Sequence, residues 1–486
     1  MRHIFRSVSA IAMLLTSSHF ALAEATDEGA TKLEGVFRAY LGDNENVVSV
    51  ETDGDNYKVT IDLASLADKA KMDGSKFEMS PIQLTVHDNG GGKWQVSKDG
   101  PLNILVDVPN ALHLEGGSAD YSLTGVFDEA LGTFASATVN TSKFTMNEAF
   151  TDPKTSAKAS ALVDIADSKT EINATANPTG GVNSDIKVST GAFSETIDSA
   201  ANEDTHSPAF NIKLNAQSSE MGLNGKGVRH KSILDLAAFF VAHQDKDSIV
   251  KAQNELKGIL TSALPLWDNM AGTTTLKTVK ITTPMGDVGA DQLDATLDMN
   301  GAVKDGKFGE KLSFTGLSLP AGIIPPWANT LVPKALSFDV VASGFNLAEP
   351  AGKMVSTMDL SQDKPLSDEF MATLMPIFLP KGTTTISLNK TGVSNDTYDL
   401  KADASFEVGP AAQPTGKATI SLKGLDEIMK AVQAAPPEAG LQSGAAVVVV
   451  AKGLAKTGAD GALTWDVEST ADGKVLVNGT DVNKLK

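Results

Sequence analysis

Length, composition and charge exclude several classes of protein. The chain has 486 residues, a formal net charge of −19 and no cysteine. The acidic balance argues against a nucleic-acid partner, because the phosphate backbone attracts basic surfaces. The lack of cysteine excludes zinc–thiolate sites, iron–sulfur clusters and cysteine nucleophiles. With four Trp and four Tyr, the chain also has few of the aromatic side chains on which a carbohydrate would stack.

The N-terminal segment Met1–Ala23 is typical of a secretory signal peptide. Arg2 and Arg6 form a basic start, Val8–Leu15 form an apolar run, and Ala21-Leu22-Ala23 is a small-x-small cleavage motif. The run is shorter than the roughly 20 apolar residues that span a bilayer, and no cysteine follows it for acylation. We therefore expect cleavage after Ala23, a periplasmic location, and no transmembrane segment in the mature chain.

Two-residue alternation of apolar side chains dominates the rest of the sequence and predicts half-buried strands. Between these segments stand Asp-Gly and Asn-Gly pairs, which favour tight hairpin turns and hence antiparallel pairing. The clearest alternating segments are Tyr57–Leu63, Ile82–Val86, Leu102–Val108, Ile386–Leu388, Ile420–Leu422 and Val475–Val477. The turn pairs are Asp53-Gly54, Asn89-Gly90, Asp99-Gly100, Asp305-Gly306, Asp460-Gly461 and Asp472-Gly473.

Helical periodicity is confined to a few segments. Ser232 is the expected N-cap of a helical block that runs to Trp267 and is broken into two helices at His243–Ser248. The other predicted helices are Leu63–Lys71, a segment opened by Ser367–Phe370 that Pro376 kinks or ends, and Leu425–Ala434, which stops before Pro436-Pro437 and a loop rich in Gly, Ala and Pro.

These patterns predict a mainly β fold with a few helices. Long twisted antiparallel sheets would form two halves, with helices covering one face and joining the halves. The predicted domains are an N-terminal β-rich domain over residues 24–225, a helical connector over 226–271 and a C-terminal β-rich domain with short helices over 272–486. The weakly hydrophobic stretch Asp152–Ser219 keeps the alternation of strands and is assigned to the first domain.

Two pairs of similar sequence blocks are consistent with an internal repeat. Gly272–Leu276 and Gly382–Ile386 each follow a predicted helical block and open a predicted strand, while Asp291–Asp294 resembles Asp396–Asp399. Coincidence in a chain rich in Thr and Gly explains the blocks equally well, because long repeats usually share more than two of them.

No motif points to catalysis or to a bound metal. His87 and His113 could meet across strands, but no two histidines after the signal have metal-ligand spacing. Ser361–Lys364 matches a Ser-x-x-Lys pattern without its companion motifs. The carboxylate-dense segments Asp43–Glu45 and Asp53–Asn56 are interpreted as solvated turns. The sequence therefore predicts a protein that is not an enzyme and has no cofactor.

The most suggestive segments are apolar. A proline-punctuated stretch, Leu317–Trp327, and a second stretch, Met371–Leu379, either line a groove for an apolar ligand or form the layer that covers a sheet. The covering layer is the simpler interpretation, since a large sheet must be covered by something. The candidate groove residues are Phe239, Phe240, Leu319, Ile323, Trp327, Leu374 and Phe378.

The C-terminal quarter resembles a known but uncharacterised family. A strand, Gly416–Lys423, is followed by the Leu425–Ala434 helix and a final hairpin, Asp472–Gly479. This arrangement is similar to the closing module of an alphaproteobacterial envelope family, domain of unknown function 2125. The resemblance implies a periplasmic, β-rich protein and brings no catalytic residues with it.

Three hypotheses of function remain open. The first is a non-catalytic periplasmic envelope protein that binds a lipid or other apolar ligand between sheet and helices. The second is a scaffold that binds another envelope protein, for example by strand addition. The third is a hydrolase whose carboxylate site escapes detection in sequence.

Overall fold

The computed structural model describes residues 25–41, 46–64, 74–152, 157–201, 208–243, 245–410 and 413–484. The predicted signal peptide Met1–Ala23, the segment Asp43–Glu45 and most of the predicted helix Leu63–Lys71 lie outside these ranges. Two compact units can be distinguished. The first comprises the described residues up to Met270 together with Ala351–Asp368, and the second comprises Ala271–Pro350 and the chain from Glu369 onward.

The predicted fold class is confirmed. Strands account for 52% of the chain and helices for 22%, and the strand pairing is antiparallel. The predicted hairpin turns at Asp53-Gly54 and Asn89-Gly90 connect neighbouring strands, and Gly54 and Gly90 adopt the positive φ angles that such turns require.

The first unit is a long sheet with one helix before it and three after it. Strands β1, β2, β4, β5, β6, β7 and β8 pair in that order, and β3 pairs with β5. The elements are α1 (Asp27–Leu41), β1 (Val48–Asp53), β2 (Asn56–Ile61), β3 (Lys76–Met79), β4 (Ile82–Asp88), β5 (Lys93–Val108), β6 (Leu112–Asp128), β7 (Thr133–Thr151), β8 (Lys158–Ala176), β9 (Val182–Thr190), β10 (Phe193–Ser199), β11 (Phe210–Ala216), β12 (Ser218–Val228), α2 (His230–Ala242), α3 (Lys246–Lys251) and α4 (Gln253–Ala263).

The main core of the first unit lies between α1 and the sheet. Leu33 and Phe37 on α1 are buried against Val59, Val86 and residues of β5–β7. Burial of each such side chain contributes about 1.5–3 kcal/mol. The same core contains Trp94, Phe127 and Phe134, and the rings of Phe127 and Phe134 meet edge to face at 5.7 Å.

In four neighbouring strands of the first unit, one residue of each strand is skipped in the strand pairing, and these four residues form a line across the sheet. The residues are Pro101 in β5, Ala119 in β6, Lys143 in β7 and Ala166 in β8. On one side of this line β8 pairs with β10, and on the other side it pairs with β9. The sheet therefore branches at this line.

The predicted turn at Asp99-Gly100 is wrong, because both residues lie inside β5. Gly100 has a φ of 114°, and the register shifts between Gly100 and Leu102. Pro101 has no backbone N–H to offer the ladder, so the turn signal marks a bulge in a continuing strand rather than its end.

The second unit is an antiparallel sheet in which β14 to β19 pair in chain order and β21 follows β19. The elements of the chain from residue 269 onward are β13 (Asn269–Thr283), β14 (Gly286–Asn300), β15 (Gly306–Thr315), the 3₁₀ helix Pro326–Leu331, β16 (Ala335–Phe345), α5 (Ala348–Thr357), α6 (Asp368–Phe378), β17 (Thr384–Ser394), β18 (Asp399–Val408), β19 (Thr415–Lys423), α7 (Leu425–Ala434), α8 (Gln442–Leu454), β20 (Lys456–Thr457), β21 (Leu463–Ser469), β22 (Val475–Val477) and β23 (Thr480–Asp481). Residues 351–357 of α5 belong to the first unit.

The helices correct several predictions. Arg229 rather than Ser232 occupies the N-cap of α2, and the block contains three helices instead of two because Asp245 caps an extra one through the Ser248 N–H. Helix α6 continues through Pro376 to Phe378. Helix α7 has the predicted bounds, whereas the segment predicted as a loop after it contains α8.

Only the first pair of similar sequence blocks occupies similar places. Gly272–Leu276 lies in β13 after α4, and Gly382–Ile386 leads into β17 after α6. Asp291–Asp294 lies inside β14, whereas Asp396–Tyr398 form the turn between β17 and β18. The second pair therefore does not mark equivalent positions.

Candidate functional site

One face of the second unit's sheet is mostly apolar from β14 to β21. Residues that oppose each other in an antiparallel ladder project to the same face, so the register assigns each side chain to a face. Leu312 opposes both Ala295 and Phe338, and Phe314 opposes both Leu293 and Leu336. The apolar face continues across β17, β18, β19 and β21 through Ile386, Leu388, Leu400, Phe406, Ile420, Leu422, Trp465 and Val467.

The opposite face of the same sheet is polar. The Lys307 ammonium lies 2.6 Å from the Asp298 carboxylate, and the Asn389 amide donates to Asp339 at 3.1 Å. Asp294 accepts hydrogen bonds from Thr275 and Gln292. The sheet is therefore amphipathic, and its alternation fixes which face could hold an apolar molecule.

Helices α7 and α8 cover the apolar face at one end of the sheet. Leu422, Leu425 and Trp465 are buried there, together with partly buried side chains of both helices. The Trp465 indole N–H donates to the Ala451 carbonyl of α8 at 2.7 Å. This bond ties the last helix to the sheet.

At the β14–β16 end the apolar face is open. Leu297, Phe308, Leu312 and Phe338 are 38%, 43%, 43% and 39% exposed, and we call these four residues the open apolar patch. They come from three adjacent strands, and Leu312 and Phe338 are direct partners. A contiguous group of exposed apolar side chains on one face marks an interaction surface more often than scattered ones do.

One carboxylate stands inside this patch. Glu310 lies on β15 between Phe308 and Leu312, and its direct partners in the ladder are Leu297 and Val340. Its side chain is half-buried, and no hydrogen bond or ion pair joins it to the described residues. Within the described part of the chain, the open apolar patch therefore surrounds one acid that has no charged or hydrogen-bonding partner.

The proline-punctuated loop is fastened to the sheet by polar contacts. Ser318 exchanges main-chain hydrogen bonds with Gly289, which fixes the start of the loop. The Asn395 amide donates to the carbonyls of Thr330 and Val332, and the Tyr398 hydroxyl donates to that of Leu331. These bonds hold the 3₁₀ helix, which packs against α7.

The seven candidate groove residues fall in different places. Phe239 and Phe240 belong to the first unit, where Phe239 is buried and contacts Phe240 edge to face and His243 by stacking. Leu374 is buried in the second unit, and Phe378 stacks on Phe345 at 5.4 Å.

The other three belong to the loop and its 3₁₀ helix. Leu319 and Trp327 are half-buried, and Ile323 is exposed. Packing thus accounts for Phe239, Leu374 and Phe378, and the assignment of all seven to one ligand groove stays a prediction.

The first unit has shallow depressions on its long strands. One of them, about 960 Å³, is lined by residues of β3, β5, β6, β7 and β8, among them Glu78, Glu115, Lys143 and Leu162. Both glutamates are largely exposed. None of the seven candidate groove residues lines this depression or the two smaller ones.

His87 and His113, which the sequence suggested could meet across strands, each interact with a different residue. His87 Nδ1 lies 3.1 Å from the Asp55 carbonyl oxygen, and His113 Nδ1 lies 3.4 Å from the Asp107 carboxylate. Within the described ranges, no group of three or more acidic or histidine side chains could hold a metal ion. The same ranges contain no helix that is both long enough and apolar enough to cross a membrane.

The open apolar patch was not among the sequence-based candidates. Its alternation is visible in Phe308–Phe314 and in Leu336–Val340, so the sequence does show two strands with one apolar face each. What it does not show is which part of the shared face α7 and α8 leave uncovered. That depends on where the helices pack, which periodicity does not encode.

The fold and this face define a mainly β protein built around an amphipathic antiparallel sheet. A family profile described as "Uncharacterized protein conserved in bacteria (DUF2125)" matches residues 237–485, half of the chain. The chain belongs to this family, which confirms the resemblance seen in the C-terminal quarter and extends it to residue 237. No curated protein and no solved structure matches the chain.

Proposed function

We propose that this chain is a non-catalytic periplasmic envelope protein that binds a lipid or other apolar ligand on the open apolar patch. The observation that carries the proposal is the exposure of Leu297, Phe308, Leu312 and Phe338 on one face of a sheet whose other end is covered by helices. An apolar ligand would complete that cover.

The energetics favour a ligand with a long apolar chain. Removing apolar surface from water contributes about 25 cal/mol per Å², or about 0.8 kcal/mol per methylene group. An acyl chain laid across three strands can therefore gain several kcal/mol against the cost of immobilising it. A small polar metabolite would gain little on this face.

The test is a charge placed inside the patch. Leu312→Asp and Phe338→Asp should each weaken binding of a twelve-carbon amphiphile with an uncharged head group by at least about tenfold, because each buries a carboxylate under the ligand. Leu312 and Phe338 are 43% and 39% exposed, so each substitution should lower the free energy of unfolding by about 1–2 kcal/mol and leave the protein folded. Isothermal titration calorimetry measures the first quantity and urea denaturation the second.

Thr296→Asp is the matched control. Thr296 is adjacent to Leu297 on β14 but projects to the polar face, where it opposes Lys311. This variant adds the same charge one residue away and should bind the amphiphile like the wild type. Equal binding by all three variants would refute the proposal.

Location is tested separately. Cell fractionation should recover the mature protein with the periplasmic contents, and N-terminal sequencing should begin at Glu24. Recovery of an uncleaved chain from the cytoplasm would contradict the periplasmic part of the proposal and leave the ligand-binding part standing.

A further inference from the structure

We propose that the ligand of the open apolar patch is an amphiphile that carries a cationic amine, and that Glu310 binds this amine. The inference rests on the proposed function and names the chemical class of the ligand. It starts from the position of Glu310 between Phe308 and Leu312, opposite Leu297 on one neighbouring strand and Val340 on the other.

The contrast with the polar face supports this role. There, Lys307 pairs with Asp298, and Asp294 and Asp339 accept hydrogen bonds from neighbouring side chains. Glu310 has no such partner among the described residues, although apolar side chains surround it on its own face. A cation that fits this acid would therefore have to come from outside the described chain.

Binding of an apolar ligand chain would make a cationic partner for Glu310 more important for the stability of the complex. When the apolar chain of the ligand covers the patch, water is displaced from the Glu310 carboxylate. Burial of a charge that has no partner is unfavourable in free energy. An ammonium group on the same ligand supplies the partner and a charge-assisted hydrogen bond. An amphiphile with an anionic head of equal chain length would instead place two like charges together.

A different role for Glu310 makes a different prediction. One alternative is that a charged residue on an exposed apolar sheet face serves solely to prevent aggregation and binds no ligand. In that case the patch would bind apolar chains with no preference among head groups that depends on Glu310. The ratio of the affinities for a cationic and an anionic amphiphile of equal chain length therefore distinguishes the two roles.

The experiment compares dodecylammonium with dodecanoate, both below their micelle concentrations, by isothermal titration calorimetry on the full mature chain. The wild type should bind dodecylammonium at least about tenfold more tightly, since hydrogen bonds between charged groups are among the strongest and dodecanoate would bring a like charge to Glu310. In Glu310→Gln the two affinities should agree within about twofold, because the amide is isosteric and neutral.

Glu407→Gln controls for the overall acidity of the chain. Glu407 is exposed on β18 and projects to the polar face, so this variant loses the same charge from the same sheet. It should keep the wild-type ratio. The assignment to Glu310 would be overturned if Glu310→Gln left the ratio of dodecylammonium to dodecanoate affinity unchanged. It would also be overturned if Glu407→Gln lowered that ratio equally.

The failure of the proposed function would look different. If neither amphiphile binds, or if Phe338→Ser, which removes the apolar ring without adding a charge, weakens neither, the patch is not a ligand site at all. If Phe338→Ser weakens binding of both while Glu310→Gln does not change the ratio of the two affinities, the patch binds apolar chains and Glu310 selects no head group.

Discussion

Protonation of His230 should affect the stability of the first unit. His230 is the first residue of α2, and its buried Nε2 has no hydrogen-bond partner among the residues that the structure describes. Burial lowers the pKa of this imidazole below its ordinary value of 6.5, because desolvation disfavours the charged form. The folded chain therefore resists protonation at a pH where the unfolded chain accepts it.

The sign of the pH dependence follows from this shift. Below pH 6.5 the unfolded state binds the proton first, so His230 should make the protein less stable as the pH falls from 6.5 toward the lower folded-state pKa. His230→Leu removes the titration, and the loss of stability between pH 7 and pH 5 should be smaller than in the wild type. Urea denaturation at both pH values measures it, and an identical loss in both proteins would contradict the account.

Among the secondary-structure elements, α7 and α8 show where sequence periodicity suffices and where it fails. Helix α7 has apolar residues at helical spacing and a proline pair beyond its end, and its bounds were predicted correctly. The region of α8 contains four consecutive valines, Val447–Val450, which favour strands. The segment is helical because Val448, Ala451 and Leu454 pack on the core around Trp465, and such packing overrides a weak intrinsic preference.

The attachment of α8 can be tested at Trp465. Trp465→Phe keeps an aromatic ring in the core but leaves the Ala451 carbonyl without its donor, which should destabilise the protein by about 1–3 kcal/mol. Val449→Ala on the same helix removes a side chain that is 64% exposed and should change stability by only about 0.5 kcal/mol. Urea denaturation compares the two, and equal effects would mean that the indole does not secure the helix.

At the scale of the whole molecule, the two units have separate cores. The first is centred on Phe37, Trp94 and Phe127, and the second on Leu422, Leu425 and Trp465. Local stability can therefore differ between the units, and each should unfold with its own transition. The expectation is two calorimetric transitions that respond to different substitutions.

Gly117→Ala and Trp465→Phe should each lower a different one of these transitions. Gly117 lies in the branched sheet of the first unit, where an added Cβ would overlap with the Leu102 carbonyl oxygen of β5, an overpacking that costs about 1–3 kcal/mol. Gly35→Ala is the control, because its Cβ meets open space on α1 and should raise stability by about 0.5–1 kcal/mol. Differential scanning calorimetry would contradict the expectation if both destabilising variants lowered one shared transition.

The sequence predicted the antiparallel, mainly β architecture because alternation and turn chemistry are local properties. It did not predict the branch at Pro101 and Ala166, because that branch depends on how β9 and β10 share the one edge of β8 that β7 leaves free. The open apolar patch was not predicted from the sequence for a similar reason. Phe338 and Trp465 lie on the same sheet face with similar sequence patterns, and only helix packing makes one exposed and the other buried.

The amphipathic sheet of the second unit also restricts how its length can change in related chains. A single-residue deletion between Phe308 and Leu312 would rotate the rest of β15 by one position and place Lys311 and Ser313 on the apolar face. Loss or gain of two residues keeps each side chain on its face. Family members should therefore vary within these strands by even numbers of residues, and odd-numbered changes should gather in the connections, such as Gly301–Asp305.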